Sequence, residues 1–192
     1  MAKINGLDNL LVYCSHVSSN PAILEEIKSG INKDTPNRPL NYLYHLIQSI
    51  SIDPTLIQQN IVENTISPVQ LIKNQGLTMV MFIMGKGASF PIHDHTEMLG
   101  ITHILYGKIW YKSYDLVSQN GNQFECRVAD DRLVEKSTTL FVTPERGNLH
   151  EIYAEENCIV FDIFIPSYFK PCNYYRVVGN NTLEITRSDL PC

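Results

Sequence analysis

From Ser67-Pro68 onward the chain carries short runs rich in β-branched and aromatic residues, and no helical pattern comes between them. The runs go from Leu77 to Met84, Leu99 to Tyr114, Thr138 to Thr143, Asn157 to Ile165 and Tyr174 to Val178. Such runs bounded by Gly, Asn, Pro and Asp read as strands. Gly85-Lys86-Gly87, Tyr106-Gly107 and Asn120-Gly121-Asn122 supply turns between them. Parallel strands need long crossovers, usually helices, so this pattern predicts an antiparallel barrel or jelly roll. Ahead of Pro68 the pattern is helical. Asn20 stands as an N-cap, Pro21 as the first helical residue and Gly30 as the stop. Leu40, Tyr42, Leu43, Leu46, Ile47 and Ile50 form a helical stripe, and Asp53-Pro54 starts a further helix with Leu56, Ile57 and Ile61 on one face. The chain reads as one domain over 1–192, with a helical segment over 1–66 and a β-barrel over 67–192.

At 192 residues and 44% hydrophobic content the chain is long enough to bury a full core. A net charge of −5, with no run of Lys or Arg, argues against nucleic acid as a partner. No apolar stretch has membrane-spanning length, and the first residues do not lead into an apolar run with a cleavage site. The cysteines (Cys14, Cys126, Cys158, Cys172 and Cys192) are odd in number, scattered, and form no CxxC. They read as reduced thiols, and a cytoplasmic or nuclear monomer without membrane contact is expected.

The chemistry concentrates at Pro91-Ile92-His93-Asp94-His95, followed much later by Gly147-Asn148-Leu149-His150. Two imidazoles at i and i+2 on an extended segment point to one side of the strand. A third from a distant strand closes a facial triangle around a metal ion. Asp94, between the two, points away from the metal by the same alternation and orients the loop. Three neutral imidazoles leave a divalent ion its full charge, so it attracts an anionic ligand and deprotonates a thiol. They also leave three open positions for substrate and O2. A zinc ion on the same ligands would suit hydrolysis or hydration instead. Geometry alone leaves that choice open.

These residues resemble the cupin superfamily. Gly87, His93-x-His95 and Gly107 reproduce most of its first motif, and Pro144-x-x-Gly147-x-x-His150 resembles its second. The acidic ligand of the first motif falls where this chain has Gly100. A closer resemblance is to the cysteamine (2-aminoethanethiol) dioxygenases of animals and the plant cysteine oxidases. It runs from about Leu71 to Val177 and rests on Pro91-Ile92-His93-Asp94-His95, Met98, Gly100, Leu105-Tyr106-Gly107, Lys112-Ser113-Tyr114-Asp115, Gly147-Asn148-Leu149-His150, Asp162-Ile163, Pro166-Ser167-Tyr168 and Cys172-Asn173-Tyr174-Tyr175-Arg176. Thr96-Glu97 departs from the usual Pro-Gly, and the stretch between Tyr168 and Cys172 is short for the family.

The resemblance implies a cupin double-stranded β-helix with Fe(II) on His93, His95 and His150. It implies a thiol dioxygenase that uses O2 to convert cysteamine or an N-terminal cysteine peptide to a sulfinic acid. For peptides, oxidation would report oxygen supply. Asp162 reads either as a sheet-edge carboxylate bonding backbone or as a pocket acid that bonds the substrate amine, Tyr168 as a packing aromatic or a pocket hydroxyl, and Cys172 with Tyr174 as plain strand residues or the family's Cys-Tyr thioether pair. His103 shares the parity of His93 and His95 but not a ligand position, so it reads as a hydrogen-bonded or exposed residue. His16 and His45 read as ordinary residues of the helical front. Free cysteine fits less well, because no arginine is obviously placed to clamp its carboxylate, with Arg127, Arg132 and Arg146 the choices left open. Another cupin enzyme, such as an isomerase or a ring-cleaving dioxygenase, and a non-catalytic small-ligand-binding cupin are the alternatives.

Overall fold

A computed structural model describes residues 4–31, 33–53, 61–95, 97–167, 172–180 and 182–190, the stretch 187–190 by its backbone. Among the described residues three helices lead: α1 (Leu7–Ser18), α2 (Pro21–Gly30) and α3 (Arg38–Gln48). α2 begins at Pro21 and ends at Gly30, as the sequence predicts. α3 is capped by Asn37, whose side chain accepts from the Leu40 amide at 3.1 Å. It buries Leu40, Leu43 and Ile47, the inward positions of its stripe, and leaves Tyr42 exposed. α1 has the same logic in Leu10, Cys14 and Val17. Two short strands, β1 (Ile4–Asn5) and β2 (Ser51–Ile52), pair around the helices. The helix expected from Asp53-Pro54 falls on 54–60, outside the described residues.

Eleven further strands follow. They are β3 (Ile66–Lys73), β4 (Thr78–Met84), β5 (Ser89–His93), β6 (Leu99–Tyr106), β7 (Lys108–Asn120), β8 (Gln123–Glu135), β9 (Thr139–Val142), β10 (Leu149–Ala154), β11 (Cys158–Ile165), β12 (Cys172–Val177) and β13 (Thr182–Leu190). The strand pairs are antiparallel. β10-β5-β12-β13-β8-β7 close on themselves, and β3-β4-β11-β6-β9 form a five-stranded sheet. Gly107, at φ 80°, makes the tight turn from β6 to β7. A Cβ there would lie 2.3 Å from the Asn157 carbonyl oxygen, so only glycine fits.

The five-stranded sheet has no solvent face at its centre. Along β11, Ile159, Phe161, Ile163 and Ile165 pack with Leu10, Leu43 and Ile47 of the helices. Cys158 and Val160 point the other way, into a second cluster with Ile109, Tyr111, Val134 and Ile152 of the closed sheet. β11 is thus buried along its whole length, which is why its sequence is a near-continuous apolar run. Asp162 and Phe164 continue the inward row of Cys158 and Val160. Asp162 therefore sits on a central strand between β4 and β6, not at a sheet edge.

Among the described cysteines, Cys14, Cys126 and Cys158 are free thiols, as expected. Cys172 is disulfide-bonded, which corrects the all-thiol reading. Through the β12–β13 pairing, Cys172 stands in register with Leu190. Among the described residues no helix is long and apolar enough to cross a membrane.

The helical front shares its core with the sheet. Leu43 is fully buried there, so Leu43→Ala should cost about 2–4 kcal/mol of stability in urea denaturation. A loss below about 1 kcal/mol would mean that the helices are not packed on the barrel.

Candidate metal centre

His150 on β10 lies directly opposite His93 on β5, and Tyr174 on β12 lies opposite His93 on its other side. Directly opposed residues project to the same face of a sheet, side by side. The rings of His93 and His150 have centroids 4.5 Å apart, and those of His93 and His95 4.9 Å. One ligand atom from each of His93, His95 and His150 lies within 4.8 Å of the others, and all three side chains are buried. The Nε2 atoms of His95 and His150 face each other at 3.2 Å. His93 donates from Nδ1 to the Pro91 carbonyl at 2.8 Å, which leaves the lone pair on its Nε2.

Burial holds all three imidazoles in the neutral form. It lowers the His93 pKa, against smaller opposing effects of the Pro91 carbonyl and Asp94. It puts His95 and His150 well below 6.5, with the neighbouring imidazoles adding to the effect. Three neutral nitrogen donors converging in a buried site suit a divalent transition ion. A Cβ at Gly100 would come within 2.6 Å of Val142 Cγ2 and 3.7 Å of the Phe164 ring. That position is filled by packing, and no carboxylate joins the histidines from it.

The surrounding residues hold this arrangement. Asp94 turns away from the cluster and accepts from the Asn173 amide at 2.9 Å, from Asn173 Nδ2 at 2.7 Å and from the Tyr175 hydroxyl at 2.8 Å. It thereby ties the end of β5 to β12. Asn148 Oδ1 accepts from the His95 amide at 2.8 Å and joins the two ligand segments. Asp115 Oδ1 accepts from the Gly147 amide at 2.8 Å and fixes the loop before β10. After His95, Glu97 takes φ 61°. That is the left-handed backbone glycine adopts freely, here held by a longer residue.

The histidines floor a cavity of about 240 Å³. Sites that engulf drug-sized ligands run to roughly 300–1,000 Å³, so this one suits a small molecule or the tip of a longer chain. Its walls are aromatic: Phe164 stacks on His95 with centroids 5.0 Å apart, and Phe90 meets Phe82 edge-on at 4.9 Å. Tyr174 also lines it, its ring centroid 6.0 Å from that of His93. Asp162 lines the same space, and its Oδ1 is buried without a partner. Burial raises its pKa to about 7, tempered by the Thr102 hydroxyl.

Tyr168 lies outside the described residues. Cys172, whose sulfur is in a disulfide, stands two residues before Tyr174 on β12. His103 faces the helices with Leu99, Ile101 and Leu105, bonded to Thr139 Oγ1 at 2.9 Å. Burial lowers its pKa to about 4. His16 and His45 are exposed on α1 and α3. Arg127 pairs with Asp115, Arg132 pairs with Asp130, and Arg146 lines a separate cleft beside Lys28. None of the described residues lining the metal cavity is an arginine. Phe164 and Phe82 join the site without any motif that marks them, although Phe164 follows Asp162 by two and so shares its face.

The pKa shifts set the pH response of metal-free protein. Each ligand imidazole sits below 6.5 when folded and regains that value on unfolding. Unfolding therefore takes up protons, and stability falls as pH drops below about 6.5. Asp162 acts in the opposite sense: raised from 3.8 to about 7, it contributes fully below about pH 4, and that contribution is lost as pH rises through 7. Asp162→Asn should therefore gain stability relative to the parent chain between about pH 4 and about pH 7. Urea denaturation of both metal-free proteins at the two ends reads this. The same difference at both pH values would contradict a buried, raised carboxyl.

The family model PCO_ADO matches residues 33–190. The chain is similar to a probable 2-aminoethanethiol dioxygenase of Dictyostelium discoideum, 26% identical over 58% of this chain and 56% of the relative. It is 27% identical to 2-aminoethanethiol dioxygenase of Homo sapiens, over 57% of this chain and 52% of the relative. To plant cysteine oxidase 2 of Arabidopsis thaliana it is 28% identical, over 51% of this chain and 39% of the relative. The chain thus spans about half the length, or less, of these curated relatives. Among solved structures it is similar to an RmlC-like cupin from Shewanella frigidimarina, 18% identical, with 56% of this chain and 82% of that one covered and a TM-score of 0.44. The family match takes in α3 and every strand from β3 onward, and by it the chain belongs to the PCO_ADO family.

Proposed function

We propose that this chain is an iron-dependent thiol dioxygenase. It adds both atoms of O2 to the thiol of cysteamine or of an N-terminal cysteine peptide, R–SH and O2 giving the sulfinic acid R–SO2H. The observation that carries the reading is the pairing of three neutral, buried histidines with a buried carboxyl whose Oδ1 has no partner, in one cavity. Membership of the PCO_ADO family and the names of the relatives support it. His93, His95 and His150 would hold the iron, which when bound supplies a double positive charge and open positions for a thiolate and O2.

The chain's own residues do the rest. The neutral imidazoles leave that charge uncancelled, so a thiol entering the cavity gives up its proton readily. Asp162 Oδ1 takes the substrate's ammonium, and that cation restores the ionised carboxylate that burial disfavours. Phe82, Phe90 and Phe164 exclude water and orient the short carbon chain between sulfur and amine. For peptide substrates, the product marks a protein's N-terminus in proportion to oxygen supply, an oxygen-sensing output. The same reading puts the chain in the cytosol or nucleus, where thiol substrates stay reduced, and has it act as a monomer.

Two expectations follow from this chemistry. Replacing any one of the three histidines by Ala should lower iron affinity by more than about tenfold, since even the loss of an outer partner does as much. Elemental analysis checks this, and full iron occupancy in His150→Ala would contradict the ligand set. With iron supplied, an N-terminal cysteine peptide and cysteamine should be oxidised, and the N-acetylated peptide should not, because acylation removes the basic amine that Asp162 pairs with. Equal turnover of the acetylated peptide would contradict the amine-dependent pocket. Preference for free cysteine would point instead to a free cysteine dioxygenase, and no turnover of any thiol to a binding module.

A further inference from the structure

β3 is an edge strand of the five-stranded sheet, and one of its faces forms a rim of the metal cavity through Pro68, Gln70 and Lys73. Strand alternation would put residues 68, 70 and 72 on that face. The register with β4 shifts between Gln70 and Ile72, a bulge that reverses the parity beyond it. Leu71 and Ile72 consequently both join the core under the helices, and Lys73 turns to the cavity side. Lys73 is exposed, is the only cation among the described lining residues, and makes no ion pair or side-chain hydrogen bond among the described residues.

The cavity therefore carries opposite charge preferences at its two ends. Register places Lys73 across from Thr78 and, one strand further, Phe164; Gln70 lines up with Val80 and then Asp162. Lys73 and Asp162 are thus two strands and about one side-chain row apart. Strand spacing and rise put their backbones roughly 12 Å from each other. That separation matches an extended peptide held by its amine at Asp162, where each residue spans about 3.3–3.6 Å.

We infer that Lys73 selects substrates, favouring N-terminal cysteine peptides with an acidic side chain at the second to fourth position. The inference rests on the thiol dioxygenase reading for its substrate class and adds the chemistry of the residues after the cysteine. In this role Lys73 binds the peptide beyond the reacting atoms. An exposed pair of this kind changes affinity by a factor of about two to five, felt in KM more than in kcat.

The test uses the full chain with iron and three peptides that begin with cysteine and differ only in bearing Glu, Gln or Lys at the third position. Their binding is measured without oxygen by fluorescence anisotropy, and their oxidation in air by mass spectrometry. The Glu peptide should bind about threefold tighter than the Gln peptide and the Lys peptide weaker, with the spread shrinking as salt is added. Lys73→Glu should reverse the order, and Lys73→Gln should remove it. Equal binding of all three peptides, or an unchanged order in Lys73→Glu, would overturn the role of Lys73. Charge-ordered binding with no oxidation of any peptide would uphold Lys73 and overturn the dioxygenase reading instead.

Discussion

His150 lies directly across from His93, and Tyr174 flanks His93 from the other strand, so a slip of one residue in either pairing would turn a site residue to the opposite face of its sheet. Register is therefore the constraint on which the metal centre depends. It is held outside the metal cluster itself. The Asp94 carboxylate, with its three donors from Asn173 and Tyr175, locks β5 to β12. Asn148 bonds the His95 amide, and Asp115 holds the Gly147 amide ahead of β10. Each is a hydrogen bond to a carboxylate or amide oxygen in a protected setting, where an unpaired group would be costly.

The same burial that orders the site also sets its electrostatics. Enclosing three imidazoles between two sheets favours their neutral forms, the forms that bind metal. Enclosing Asp162 on the inward row of β11 disfavours its charge until a cation arrives. Packing at Gly100 keeps a further carboxylate out. A metal site without an anionic ligand and a carboxyl without a counter-ion thus share one cavity. Under the proposed function these would be met by a thiolate and an ammonium.

Much of this was legible in the sequence because it follows from strand alternation. His93 and His95 share a side with Asp94 opposite, and the late Gly-x-x-His supplies the third nitrogen. α2 and most of α3 are bracketed by Pro21, Gly30 and an apolar stripe. Other elements lacked a local signal. β8 has a largely exposed face rich in charge, so it shows few apolar residues in a row. α1 carries Leu10, Cys14 and Val17 at helical spacing, but Gly6 precedes it without a side-chain cap. His103 shares the numbering parity of the ligands, yet the chain turns between His95 and Leu99, so its side chain faces the helices. Lys73 reaches the cavity rim only because of a bulge. Register shifts and long-range pairing leave no periodic trace in a sequence.

The central claim is that both oxygen atoms of O2 end on the substrate sulfur. It is tested most directly by running the iron-loaded chain on an N-terminal cysteine peptide under isotopically heavy dioxygen in ordinary water and weighing the product. The account predicts a sulfinic acid carrying two heavy oxygen atoms at the cysteine. A product with one or no heavy atom, a disulfide, or unchanged peptide would contradict it.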